Sequence, residues 1–322
     1  MASKKPIEKS LQIKYSQNFF NYLKRYYKKP NSAQKRDSTL ISLIWLTPAL
    51  ALLGIFMFYA IFIVARTAVN GGPEIAFKFS WKHFELVWKN REFQIALKNS
   101  LIYSTAVVPL SLIISLIVAK SLTSIMSKRI FNFLQGIFFL PYVTSAMAVA
   151  MTFAFIFSPE GVMNTLFALF GLEKRPWLND ANYAIWVLII YGIWKSLPFN
   201  IIMLTTALLK INNQYYQAAA IDGMRKSKQL FKVTVPLVIP MLIYLFTIGL
   251  IDSFKIFPLG LYDNYIQAST YQIQTVVFWI FQRRMNASYN EAAAASIILM
   301  IIILLITIVT RIISKQLSRK YS

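Results

Sequence analysis

An all-α integral membrane protein with six transmembrane helices is the fold class this sequence predicts. Three observations carry it. Of 322 residues, 57% are hydrophobic and only 14% charged, too few polar groups to cover a soluble core of that size. Apolar stretches recur at the length needed to cross about 30 Å of hydrocarbon, some 17–25 helical residues. Lysine and arginine also concentrate in alternate connections between those stretches. Because lipid offers backbone groups no water, each crossing segment must close its own hydrogen bonds as a helix.

The chain opens with a basic, aromatic-rich arm, residues 1–39, holding ten Lys or Arg against two acidic residues. Phe19, Phe20, Tyr22, Leu23, Tyr26 and Tyr27 alternate there with Lys24, Arg25, Lys28 and Lys29. That pattern suits an interfacial helix on anionic membrane lipid. A six-span domain is expected over 40–322, with crossings at 40–64, 99–119, 134–157, 184–209, 236–257 and 292–313. An even number of crossings puts both termini on one side.

Charge placement assigns that side. With the N-terminus inside, inner segments hold 22 Lys and Arg and outer segments 10, while Lys195 and Lys255 fall within spans. This bias predicts a multi-pass membrane protein with both termini cytoplasmic. It also accounts for most of the net charge of +22, so nucleic acid is not needed as a partner. There is no cysteine, which excludes disulfides and thiolate metal sites. The single histidine, His83, lies alone in a polar connection and reads as a surface residue. No phosphate-binding G-x-x-x-x-G-K-[ST] motif is present, so no nucleotide-hydrolysing machinery is expected in this chain.

Within the spans, prolines stand at Pro109, Pro141 and Pro198, each removing a donor and crowding the carbonyl four residues earlier. The fourth span reads YGIWKSLPFNIIML from Tyr191 and gathers Trp194, Lys195, Ser196 and Asn200 around a proline. Polar groups in a span face the bundle interior or a water-filled cavity. With Trp194 and Asn200 on one face, a ring and an amide suit a sugar. Packing between helices is the alternative, and Lys195 then snorkels. The fifth span carries Asp252 and Lys255 one turn apart, an ion pair, a gate or a contact to a polar solute.

The polar stretch from Tyr215 to Pro240, YYQAAAIDGMRKSKQLFKVTVPLVIP, separates these two spans. Asn212 or Asn213 suits an N-cap, Gln214 to Asp222 a short helix, and Gly223 the residue after its end. Ala218, Ala219 and Ala220 form a small-residue face open to close approach. The loop 210–235 is therefore a candidate docking element, although any loop of this kind can hold a short amphipathic helix.

The spacing Gln217-Ala218-Ala219, Asp222-Gly223, Phe231, Val233, Val235-Pro236 resembles the signature of permease subunits of ABC importers. That signature runs E-A-A, a glycine, an aliphatic residue ten further on, and L-P; Gln217 replaces its glutamate. The runs GIWKSLPFN and ALLKINNQYYQAAAIDG, and the stretch from Tyr289 to Ser296, are similar to the carbohydrate-uptake branch, the maltose-permease-like and glycerol-phosphate-permease-like families. After Phe257 this chain has LGLYDN, where the family often shows T-x-G-G-P.

The resemblance implies the type I importer fold and a transport subunit rather than an enzyme. It implies a second homologous permease subunit, two ATPase subunits and an extracytoplasmic solute-binding protein as partners. No cofactor is then expected in this chain, ATP and Mg being bound by the partner ATPase, and no metal. Gln217, Ala218, Ala219, Asp222, Gly223, Phe231 and Pro236 would couple to the ATPase. Tyr191, Trp194, Asn200, Asp252 and Lys255 would line the path of a sugar or sugar-like solute. Glycerol phosphate or a glycerophosphodiester is the alternative cargo. An ATPase-independent secondary transporter would need more paired ionisable groups in its spans. A membrane-bound transferase would need metal-binding carboxylates or a His/Asp set.

Overall fold

The computed structural model describes residues 32–72, 77–262 and 264–321, with side chains described from 41 to 314 within those bounds. The interfacial helix expected around residues 19–29 lies outside the described residues. The chain divides into two units, Met1–Phe62 and Ile63–Ser322. In the first, helix Ser32–Leu53 runs into a π-helical turn, Gly54–Phe58, whose end is closed by the Tyr59 N–H on the Gly54 carbonyl.

Among the described residues, five continuous helices are long and apolar enough to cross a membrane. They are Ile41–Ala68, Arg91–Thr123, Ala181–Leu209, Lys226–Phe254 and Tyr289–Ser314. These are the first, second, fourth, fifth and sixth spans. The third, expected over 134–157 with a proline at 141, is broken in two: Lys128–Val143 and Ala146–Ile156 meet at 94°. The break falls at Thr144, past Pro141, whose missing donor acts on the preceding turn. Thr144 Oγ1 donates to the Pro141 carbonyl at 2.8 Å, and Thr144 itself is extended. Pro109 and Pro198, by contrast, lie inside unbroken helices.

Two spans begin well before their apolar stretch. Asn90 caps the second, its side chain accepting from the Phe93 N–H at 3.1 Å, and Phe93 and Ala96 are fully buried in the added turns. The fifth begins at Lys226, ten residues ahead of Pro236. A π-helical turn, Leu230–Thr234, makes this possible: Val235 N–H reaches back to the Leu230 carbonyl. The wider turn re-registers the ladder where the Pro236 ring would crowd it.

The second span is the centre of the unit. Ser100, Ser104, Ser111 and Ser115 are all buried along it, a small-residue face that lets neighbouring backbones approach. Gly192 of the fourth span packs directly on the Tyr103 phenol ring, and Gly249 of the fifth packs on Val108. Towards the loop 210–235, Val108, Leu112, Ala119, Leu204, Leu208, Val238 and Leu245 form one apolar cluster.

At the other end a larger cluster includes Phe93, Tyr191, Phe278 and Trp279. Polar groups close that end. Asn99 Nδ2 donates to the Gln272 and Gln274 carbonyls, at 2.7 and 3.0 Å. Arg283 stands between Glu92 at 3.4 Å and Glu291 at 3.7 Å. Tyr265 donates to Glu92, and burial together with that carboxylate pushes its phenol above the ordinary range, so it stays a donor.

The segment between the third and fourth spans is held by the rings of Phe157, Phe167 and Tyr183 around Trp177 and by one buried amide, Asn164. Asn164 Nδ2 donates to the Pro159 and Arg175 carbonyls, at 3.1 and 2.9 Å. Its Oδ1 accepts from Arg175 N–H and Trp177 Nε1, both at 2.9 Å. Asn164→Ala would orphan several of these groups at about 1–3 kcal/mol each. Hydrogen exchange over residues 158–180 is expected to accelerate at least roughly tenfold in that variant, with the spans unchanged. Unaltered protection there would show that the ring cluster around Trp177 suffices.

Candidate functional site

The loop 210–235 folds as its residue types dictate. Asn212 accepts the Gln214 N–H at 3.0 Å and starts helix Asn213–Ile221. Gly223 ends it with φ +69°, and Met224 N–H closes on the Ala219 carbonyl at 2.9 Å. Gln217, Ala218, Ala220 and Asp222 are exposed, whereas Ala219 is only 5% exposed and turns inward. The expected face of three alanines is thus corrected: at 100° per residue they cannot share a side. The outward face is instead Gln217, Ala218 and Ile221, and Ile221 is 86% exposed. Sequence reasoning missed Ile221, although its i+4 spacing from Gln217 was there to be used.

The coupling candidates fall on two elements. Gln217 to Gly223 lie on the short helix and its end, while Phe231 and Pro236 belong to the fifth-span helix. Phe231 is exposed and Pro236 half-buried. What joins the two elements is Tyr216. Its hydroxyl shares a hydrogen bond with Thr234 Oγ1 at 3.0 Å, and Thr234 is fully buried in the π-helical turn. Lys120, near the end of the second span, places its ammonium 4.6 Å from the Tyr216 ring centroid. The short helix is therefore tied to the second and fifth spans through one ring.

Tyr216→Phe keeps the ring and loses the hydroxyl, at a cost of about 1–3 kcal/mol for the buried group left behind. Thr234→Val in the same chain is expected to add little further loss, a coupling that a double-mutant cycle on thermal stability measures. Strict additivity would deny the contact.

Spans two, three, four and five line a cavity of about 270 Å³. Tyr103, Ser111, Tyr142, Lys195, Ser196, Phe199, Asn200 and Asp252 line it among apolar neighbours. Asn200 Nδ2 points at Ser111 Oγ, at 3.4 Å. Tyr142 and Phe199 stack with centroids 5.9 Å apart and 21° between planes. Asp252 and Lys255 pair at 3.6 Å, both side chains well exposed.

Of the expected path residues, Asn200 and Asp252 line the cavity, with Lys255 beside Asp252. Tyr191 and Trp194 do not line it. Tyr191 is 2% exposed; its hydroxyl donates to the Ala146 carbonyl at 3.2 Å and its ring meets Phe153 edge-on. It braces the bend of the third span. Trp194 is half-exposed on another face. The reason is angular: six residues from Trp194 to Asn200 turn the helix about 240°, so one face cannot carry both. Tyr142 and Phe199 supply the rings instead. Among the described residues no cluster of three or more metal-ligating side chains occurs.

The family of binding-protein-dependent transport system inner membrane components matches residues 111–322. A probable ABC transporter permease protein of Mycoplasma genitalium is 34% identical over 226 residues, 68% of each chain. The lactose transport system permease protein LacF of Rhizobium radiobacter is 28% identical over 70% of this chain and 76% of its own. A crystal structure of a bacterial ABC transporter that imports the acidic polysaccharide alginate shares the fold, with a TM-score of 0.74 at 23% identity, over 88% of this chain and 96% of that one. Such permeases are multi-pass plasma-membrane transport components, not enzymes, and membership implies an ATPase and a solute-binding protein as partners. The matched segment holds the short helix, the cavity's fourth- and fifth-span walls and the bent third span, and the chain belongs to this family, the permease subunits of ABC importers.

Proposed function

We propose that the cavity is this subunit's share of the path for a sugar or sugar-like solute, and that helix Asn213–Ile221 is its contact with the ATPase. The observation that carries the reading is the tie through Tyr216 from an exposed, capped helix to two of the spans that line the cavity. Gln217, Ala218, Ile221 and Asp222 would seat in a cleft of the ATPase, with Phe231 at its margin and Ala219 and Gly223 holding the helix in shape. Pro236 acts at one remove, through the π-helical turn ahead of it. Asn200, Asp252 and the stacked pair Tyr142 and Phe199 would meet the solute, with Lys255 restraining Asp252.

The likeness to a lactose permease supports a sugar as cargo. The full machine would hold a second homologous permease, two ATPase subunits carrying ATP and Mg, and an extracytoplasmic binding protein. The loop 210–235 and both termini then lie in the cytoplasm, as the distribution of Lys and Arg requires. Closure of the ATPase pair would move the short helix as a rigid body and rock the fourth and fifth spans about the cavity.

The absence of cysteine gives a clean test. Ala218→Cys places a single thiol on the outward face, against cysteines scanned along the cleft of the co-expressed ATPase. Disulfide yield is expected to change with ATP. No cross-link to any scanned position, in a correctly inserted protein, would refute the coupling role.

A further inference from the structure

Charge around the cavity does not balance. Lys195 lines it from the fourth span, and no carboxylate lies within ion-pair distance of its ammonium among the described residues. The Tyr191 ring lies 5.9 Å from it, and the Asp252 carboxylate acts on the ammonium only from beyond ion-pair distance. Asp252 is the one carboxylate lining the cavity, and it is paired with Lys255 at 3.6 Å. Two cations therefore stand about one anion. An ammonium in a span does not face acyl chains; it faces the bundle interior or a water-filled path. Around Lys195 the same cavity offers stacked rings in Tyr142 and Phe199, a hydroxyl in Ser196 and an amide in Asn200.

We propose that Lys195 determines specificity by meeting an anionic group on the cargo, which is then a sugar-like solute bearing one acidic group. A phosphate ester and a uronate carboxylate share the required chemistry. Lys255 has a part in this: by holding Asp252 it keeps that carboxylate from closing to an ion pair with Lys195. The inference rests on the cavity being the cargo path, as proposed above.

The test uses the whole importer in proteoliposomes, with labelled sn-glycerol 3-phosphate, galacturonate and lactose as probes. The readout is the ratio of acidic to neutral uptake. Lys195→Met is expected to lower that ratio by about tenfold or more, as loss of one charge-assisted contact does, while Lys195→Arg largely keeps it. Lys255→Met should lower the ratio too, because Asp252 is then free to turn to Lys195. Asp252→Asn should not lower it. Comparing the two acidic probes separates phosphate from carboxylate. An unchanged ratio in Lys195→Met, or wild-type uptake confined to lactose or to none of the probes, overturns the proposal. So does failure of the Lys195→Met chain to assemble with the second permease, which would make Lys195 a contact between subunits. If the Ala218→Cys cross-link to the ATPase is also absent, the coupling reading fails with it; a retained cross-link confines the failure to the cavity's charge.

Discussion

Gly223→Glu is expected to remove cargo-stimulated ATP hydrolysis, by roughly tenfold or more, while the chain still inserts and assembles. Space is not the cause, since a β-carbon at Gly223 would meet no atom within 4 Å. Backbone conformation is. Gly223 sits at φ +69°, where an L-residue costs about 1–2 kcal/mol. That turn sets the Met224 N–H on the Ala219 carbonyl and so ends the short helix at Ile221, with Asp222 as its cap. A carboxylate there also adds negative charge at a helix C-terminus and beside Asp222, both unfavourable. The assay is ATP hydrolysis by the assembled importer with and without loaded binding protein. Gly223→Asn, which tolerates the left-handed region, is expected to retain most of the stimulation. Normal stimulation in the glutamate variant would remove this helix from the coupling role.

Gly192→Val is expected to have the largest effect on stability. A β-carbon at Gly192 would overlap the Tyr103 phenol ring, inside the contact between the second and fourth spans. Tyr103 is 3% exposed and packed on the fourth span, so the ring must leave its contacts and swing into the cavity it lines. Overpacking of this kind costs about 1–3 kcal/mol or more. Thermal aggregation of the detergent-solubilised protein should begin at a clearly lower temperature. Tyr103→Leu in the same chain should recover much of the loss, because it frees the volume that the valine needs. A valine variant as stable as the native chain would mean that these two spans are not held as the structure shows.

The two variants separate the layers of the account. Gly192 lies where spans pack and lines the cavity; Gly223 lies where the chain turns outside the spans. One should fail to fold well, the other fold and fail to couple.

Hydropathy made the crossings legible because lipid imposes a length and forbids open backbone. It was silent about turns that leave the hydrocarbon. Residues 91–98 are mixed in polarity, yet continue the second helix because Asn90 caps them and Phe93 and Ala96 have a core to enter. Pro236 reads as a helix start, since proline suits a first turn; only the π-helical turn before it lets the helix begin at Lys226. The break in the third span falls at the extended Thr144, whereas Pro109, Pro141 and Pro198 all lie within helices.

In the candidate site, the glycine and cap of the short helix could be read from residue type, because φ > 0 and an open N–H each select few side chains. Facing was harder. Trp194 and Asn200 looked like neighbours by count but are about 240° apart, and Ala219 turns inward between exposed Ala218 and Ala220. Tyr103, Tyr142 and Phe199 each stand near polar residues, but nothing in the sequence sets them on one surface. They reach the cavity because separate spans converge there, which is a tertiary fact.

The most direct test of the central claim, that ATP at the partner moves the walls of this cavity, uses Ser196→Cys as a single thiol in the cysteine-free chain. A membrane-impermeant maleimide is offered from one side at a time to the assembled importer in sealed vesicles. Alternating access predicts that labelling is favoured from one side without nucleotide and from the other when ATP is bound and hydrolysis is blocked. Labelling from the same side and at the same rate in both states would contradict the account.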